Sequence, residues 1–152
     1  MMAQVKRILL VEDSPHDIEL TMVALEKCHL ANHVDIARDG ADALDYLHRR
    51  GAHAHRPEGL PVVVLLDLKM PKVDGLQVLK EMKSDPSLKN VPVVMLTSSN
   101  EERDLLESYK LGTNAYVVKP VDFQQFTESI KQLGCFWAII NEPPIPGKKP
   151  QE

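Results

Sequence analysis

The chain has 152 residues, enough for one domain with a real core, and its 43% hydrophobic and 26% charged fractions are those of a soluble globular protein. A formal net charge of −4 leaves no basic surplus to neutralise phosphates, which argues against nucleic acid as the main partner. No apolar run approaches the roughly 20 residues of a membrane span, no signal-peptide pattern precedes the first strand-like segment, and Cys28 and Cys135 show no metal-ligand or redox spacing, so a cytoplasmic protein is expected. In chain order, the short Val-, Ile- and Leu-rich runs 7–11, 33–37, 62–66, 92–96 and 115–118 predict strands. They are continuous rather than alternating, as strands covered on both faces are.

Helix signals fall between them. Ser14 with Pro15 opens the first helix, with Ile18, Met22 and Leu25 on one face. Asp39-Gly40 opens the second, bearing Leu44 and Leu47, and Asp74-Gly75 the third, with Leu76, Leu79 and Met82 inward. Asn100 before Glu101 and Glu102 starts a fourth, which Gly112 stops. Asp122 and Gln125 form a potential capping box for a fifth, whose stripe is Phe123, Phe126, Ile130 and Leu133. Five β-α units joined by right-handed crossovers make an α/β, doubly wound parallel sheet. The predicted domain runs over 1–133. Residues 134–152 are a C-terminal extension, apolar at "CFWAII" and then Pro-rich. Residues 49–61, "RRGAHAHRPEGLP", predict a long exposed loop in which His53 and His55 are solvated rather than metal ligands.

Sites in open α/β sheets form beyond the carboxyl ends of the strands. There the order of residues places Glu12 and Asp13 after the first strand, Asp67 after the third, Thr97-Ser98-Ser99 after the fourth and Lys119-Pro120 after the fifth. Three carboxylates in one cleft repel each other unless a cation sits among them. A hard oxygen-ligated ion, Mg²⁺ above all, suits them. Asp67 then becomes a candidate nucleophile toward phosphorus, with Lys119 and the Thr97 hydroxyl to steady the phosphoryl oxygens.

"LLVEDSPHD", "LLDLKMPKVDG", "VVMLTSS" and "AYVVKP", in this order, resemble the receiver domain of two-component response regulators over roughly residues 5 to 133. The resemblance implies a flavodoxin-like sheet of order 2-1-3-4-5 with five helices. It implies that Asp67 accepts a phosphoryl group from a kinase phosphohistidine. Glu12, Asp13, Asp67 and the Lys69 backbone carbonyl would hold Mg²⁺. Thr97 would be the switch hydroxyl, Lys119 the phosphate-binding lysine and Tyr116 the aromatic that changes rotamer, with a cis bond before Pro120. Glu12 departs from the aspartate many members carry.

With only 19 residues after Leu133, no output module is expected, and a single-domain regulator follows. The 49–61 loop and the tail are similar to those of regulators paired with bacterial and cyanobacterial phytochromes. That likeness implies a phytochrome-type histidine kinase as donor. It also implies a homodimer through the fourth helix, fifth strand and fifth helix, extended by Phe136, Trp137 and Ile140. A phosphorelay intermediate or a phosphorylation-independent scaffold is the alternative. An aspartyl phosphatase would want a second Asp where Lys69 stands, and no glycine-rich phosphate loop follows the first strand. An enzyme in the usual sense is therefore not expected.

Overall fold

The computed structural model describes residues 7–27, 33–57, 59–68, 70, 73–97, 112–113 and 115–119, with Gln124 and Glu128 besides. Five parallel strands form one sheet: β1 (Ile8–Val11), β2 (Val34–Ala37), β3 (Val63–Asp67), β4 (Val93–Thr97) and β5 (Ala115–Val118), ordered β2-β1-β3-β4-β5. Among the described residues, the helices with defined bounds are α1 (Pro15–Glu26), α2 (Gly40–His48) and α3 (Gly75–Ser84). The predicted fourth helix lies outside the described residues. Of the fifth, Gln124 and Glu128 are helical and exposed, as residues four apart and off its apolar stripe should be.

The strands are apolar throughout because both faces are covered, and their two-residue alternation divides the core. Leu9, Val11, Val64, Leu66, Val93 and Met95 pack on one side with Leu44 and Leu47 of α2 and Val78, Leu79 and Met82 of α3. Ile8, Leu10, Val63, Leu65, Val94, Leu96 and Val117 pack on the other with Ile18, Ala24 and Leu25 of α1. Reversal of the chain's winding after β1 thus puts α1 and α2 on opposite faces.

Helix starts follow the predicted signals. The Ser14 hydroxyl accepts the Asp17 amide at 3.3 Å and Pro15 takes the first helical position. Asp39 accepts the Asp42 amide at 2.7 Å. Asp74 and Gln77 exchange side-chain-to-backbone bonds at 2.9 and 3.0 Å, a capping box at α3. The buried face of α1 differs from the expected one: Thr21 and Ala24 complete it, while Met22 is half-buried.

The described residues of 49–61 are mostly exposed, as the composition predicts, but they are ordered by side-chain bonds. Arg49 adopts a left-handed backbone (φ 53°) that ends α2, and its guanidinium donates to the Arg56 carbonyl at 3.0 Å. A 3-10 turn, Gly51–His53, follows. Arg56 then reaches back, donating to the carbonyls of Tyr46 at 2.6 Å and of Pro57 and Gly59 at 2.9 Å each, with its guanidinium 4.3 Å over the Tyr46 ring. His53 is half-buried, Nε2 against Asp42 Oδ1 at 2.7 Å and its ring edge-on to Tyr46, which corrects the reading of it as solvated; His55 is exposed. One cation thus ties three carbonyls and an aromatic face, so the segment folds onto α2. Tyr46 also donates its hydroxyl to Asp35, which Arg7 grips with Nη2 at 2.6 Å and Nε at 3.2 Å. This cluster borders a cavity of about 620 Å³ walled by Ile36, Leu60 and Pro61.

Candidate functional site

Strand ends set the site. Asp67 and Thr97 are the last residues of β3 and β4 rather than the first residues beyond them, one position further in than the sequence reading placed them. In the ladder Asp67 faces Leu96, and Thr97 faces Val118, the residue before Lys119. The Glu12 amide donates to the Ala37 carbonyl at 2.9 Å, which extends the β1–β2 pairing by one step and turns the Glu12 side chain inward. Glu12 is wholly buried and Asp67 is 4% exposed, whereas Asp13 faces solvent.

Gly75 closes on the end of β3 from the other side. Its amide donates to the Leu68 carbonyl at 2.9 Å, and a Cβ there would overlap the Asp67 carbonyl oxygen. Only glycine lets the start of α3 sit so close to the backbone of Asp67.

Lys119 comes in from the end of β5. Its ammonium lies 2.5 Å from Glu12 Oε1, 3.0 Å from Asp67 Oδ1 and 3.0 Å from Asp17 Oδ2, and the side chain is 9% exposed. Glu12 Oε2 meanwhile accepts the Ser14 amide at 3.3 Å. Three N–H donors therefore meet three carboxylates. Asp17 is a residue that the sequence reading missed. It stands one turn beyond Asp13, and an acid in the first turn of a helix is ordinarily explained by the helix dipole alone.

Charge is not balanced here. Burial pushes the Glu12 carboxyl up to about 7; the Lys119 ammonium pulls against this and the Asp67 charge adds to it. Burial likewise raises Asp67, only partly opposed by Lys119. Burial alone would lower Lys119, but its bonds to Glu12 and Asp17 and the Asp67 carboxylate outweigh that and raise it. One ammonium does not suffice for acids so deeply placed. Glu12, Asp13 and Asp67 each bring a carboxylate oxygen within 4.8 Å of the others. An all-oxygen set of this kind, two members short of neutralising charge and one open to solvent, fits a hard divalent cation.

The described residues thus bring together Glu12, Asp13, Asp67 and Lys119, with Thr97 and Tyr116 placed on adjacent strands. Tyr116 stands opposite Met95 in the ladder. Lys69, Pro120, Phe136, Trp137 and Ile140 lie outside the described residues.

A five-stranded 2-1-3-4-5 sheet with paired acids beyond its first strand, an acid ending its third and a lysine just beyond its fifth is the arrangement of a receiver-type signalling domain. The chain belongs to the response regulator receiver domain family, whose model matches residues 8–131. It is 61% identical to the bacteriophytochrome response regulator AtBRR, with a TM-score of 0.83 over 92% of this chain and 100% of that one. The bacteriophytochrome response regulator RtBRR is similar at 59% identity and a TM-score of 0.83, over 95% of this chain and 87% of that one. Response regulator Rcp1 of Synechocystis is 39% identical over 132 residues, 87% of this chain and 88% of its own length. A Mn²⁺-bound structure of Rcp1 superposes with a TM-score of 0.70 at 35% identity, over 93% of this chain and 99% of that one.

Proposed function

We propose that this chain is a single-domain response regulator that accepts a phosphoryl group on Asp67 from the phosphohistidine of a sensor kinase, in a Mg²⁺-dependent reaction. The observation that carries this reading is the Lys119 ammonium lying between Glu12 Oε1 and Asp67 Oδ1, inside an acidic cluster that one lysine leaves short of positive charge. A carboxylate oxygen of Asp67 attacks phosphorus. The phosphorus–nitrogen bond to the donor imidazole breaks, and the imidazole leaves with the electron pair and keeps a proton on the ring. A divalent cation held by Glu12, Asp13 and Asp67 would offset charge on the phosphoryl oxygens. Lys119 would do the same, and burial would strengthen both effects.

The conversion adds up to about two negative charges beside strand β4. Thr97 serves as the hydroxyl that answers them and Tyr116 as the aromatic that follows, so a local charge event biases a two-state surface. The domain occupies 1–133, and the extension with Phe136, Trp137 and Ile140 joins a homodimer face. Likeness to AtBRR and RtBRR supports a phytochrome-type kinase as the donor. That the related regulator RcpA has been crystallised in a phosphorylated form supports the acceptor role.

Incubation with acetyl phosphate and Mg²⁺ tests the assignment. Wild type should gain one hydroxylamine-sensitive phosphoryl group, seen by intact-mass measurement, and Asp67→Ala none. Equal labelling of the two proteins contradicts the assignment.

A further inference from the structure

We infer that Asp17 is a positioning residue that holds the Lys119 ammonium in place when Asp67 carries a phosphoryl group; this rests on the phosphoacceptor role proposed above. All three donors of the Lys119 ammonium are taken by carboxylates, at 2.5 Å from Glu12 and 3.0 Å from each of Asp67 and Asp17. These three acceptors do not survive phosphorylation alike. The Asp67 carboxylate becomes a mixed anhydride and loses its own negative charge, so its contact with Lys119 passes to a phosphoryl oxygen. Glu12 belongs to the carboxylate group that fits a cation, and its charge is shared there. Asp17 is outside that group and keeps its full charge.

Geometry gives Asp17 the anchoring role. It projects from the first turn of α1, whose N-terminus is capped by Ser14, so its Cα is held by a formed helix. Lys119 enters from the end of β5, 102 residues away in sequence. A lysine side chain has four rotatable bonds and is delivered to a fixed point only if something restrains it. Asp17 supplies that restraint, and its own side chain is 29% exposed, at the rim of the cluster. No contact links it to the Asp13 carboxylate among the described residues.

The test uses the full chain as wild type, Asp17→Asn, Lys119→Gln and the double variant, labelled with acetyl phosphate and Mg²⁺. Asp17→Asn should slow labelling about fivefold, the scale of one ordinary hydrogen bond at a partly exposed site. In the Lys119→Gln background it should change nothing, because there is no ammonium left to position. Asp17→Glu should regain most of the rate. A second measurement needs no transfer at all: the Nζ–H signal of Lys119 in ¹⁵N-detected NMR should be sharp in wild type and exchange-broadened in Asp17→Asn. Labelling of Asp17→Asn at or above the wild-type rate, equal slowing in both backgrounds, or an unchanged Lys119 signal overturns the inference. Failure of wild type to label at all would instead sink the phosphoacceptor role, which keeps the two results apart.

Discussion

Beyond the carboxyl end of β1, Glu12 and Asp67 are buried with carboxyl groups held above their ordinary range. At its amino end Arg7 grips Asp35, and there the balance is reversed. Burial would raise Asp35 too, but the Arg7 guanidinium and the Tyr46 hydroxyl outweigh it and keep the carboxyl below the usual range. Burial and the bond to Asp35 push the Tyr46 phenol up to about 12 in turn. Both clusters pair acids with a cation, buried acids at Glu12 and Asp67 and a half-buried one at Asp35. The Asp35 cluster is neutralised by bidentate pairing and by hydroxyl donation, so it behaves as a clasp. The Asp67 cluster is left short of positive charge, so it is poised to take more. Where charge is left uncompensated, a binding or reaction partner is expected to supply the difference.

Three substitutions break this contrast, in order of expected effect. Lys119→Met leaves Glu12 and Asp67 buried without their ammonium and should cost about 3–5 kcal/mol near pH 7.5. The sign with pH follows from the raised carboxyls. A folded state with a Glu12 pKa of about 7, against 4.5 ordinarily, holds its proton over that interval, and stability falls as pH rises through it. The Lys119→Met penalty should therefore shrink toward pH 5 and grow above pH 7, as read by urea denaturation at each pH. A penalty independent of pH would mean that the acids are not what Lys119 neutralises.

Arg56→Ala should cost about 1–2 kcal/mol, since it removes hydrogen bonds to three carbonyls and the cation from the Tyr46 ring at a partly exposed site. Its phosphoryl labelling should stay at the wild-type rate, and a matching loss of labelling would mean that the two clusters are coupled. Asp35→Asn is the mildest. Asp35 and Arg7 are each about one-third exposed, so solvent screening holds the loss below about 1 kcal/mol. Its pKa is depressed, so the stabilisation is present above the ordinary value of 3.8 and lost as pH falls through the folded value. Melting curves of wild type and Asp35→Asn should separate at pH 7 and converge in strong acid.

The acidic cluster was legible in the sequence because each member follows directly on an apolar run, and a charge beside such a run is conspicuous. Strand positions and helix caps followed from the same local patterns, whereas the strand order came from the family resemblance. The clasp was not legible. Arg7, Asp35, Tyr46 and Arg56 come from four separate segments, and each alone reads as an ordinary polar residue in or beside an element. Residues 49–61 looked open because Gly, Pro, His and Arg are loop residues by composition. Their order arises from Arg56 reaching back to carbonyls, which no local pattern encodes. Asp17 was hidden for a related reason: its partner, Lys119, lies far away in the chain, and a nearer explanation, the start of α1, was already available. The strand ends were misplaced by one residue because a carboxylate and a hydroxyl look like loop residues, although their backbones still complete the ladder through Asp67 and Thr97.

The fit of Gly75 against the Asp67 carbonyl has a consequence for redesign. With the ladder to β4 on one flank and the first turn of α3 on the other, the Asp67 main chain is boxed in, so under the proposed role a covalent change at its carboxylate would be relayed by side chains. Redesigned versions of the domain should therefore keep Asp67, Leu68 and Gly75 together, because the approach of Gly75 to the Asp67 and Leu68 backbone leaves no room for a methyl group.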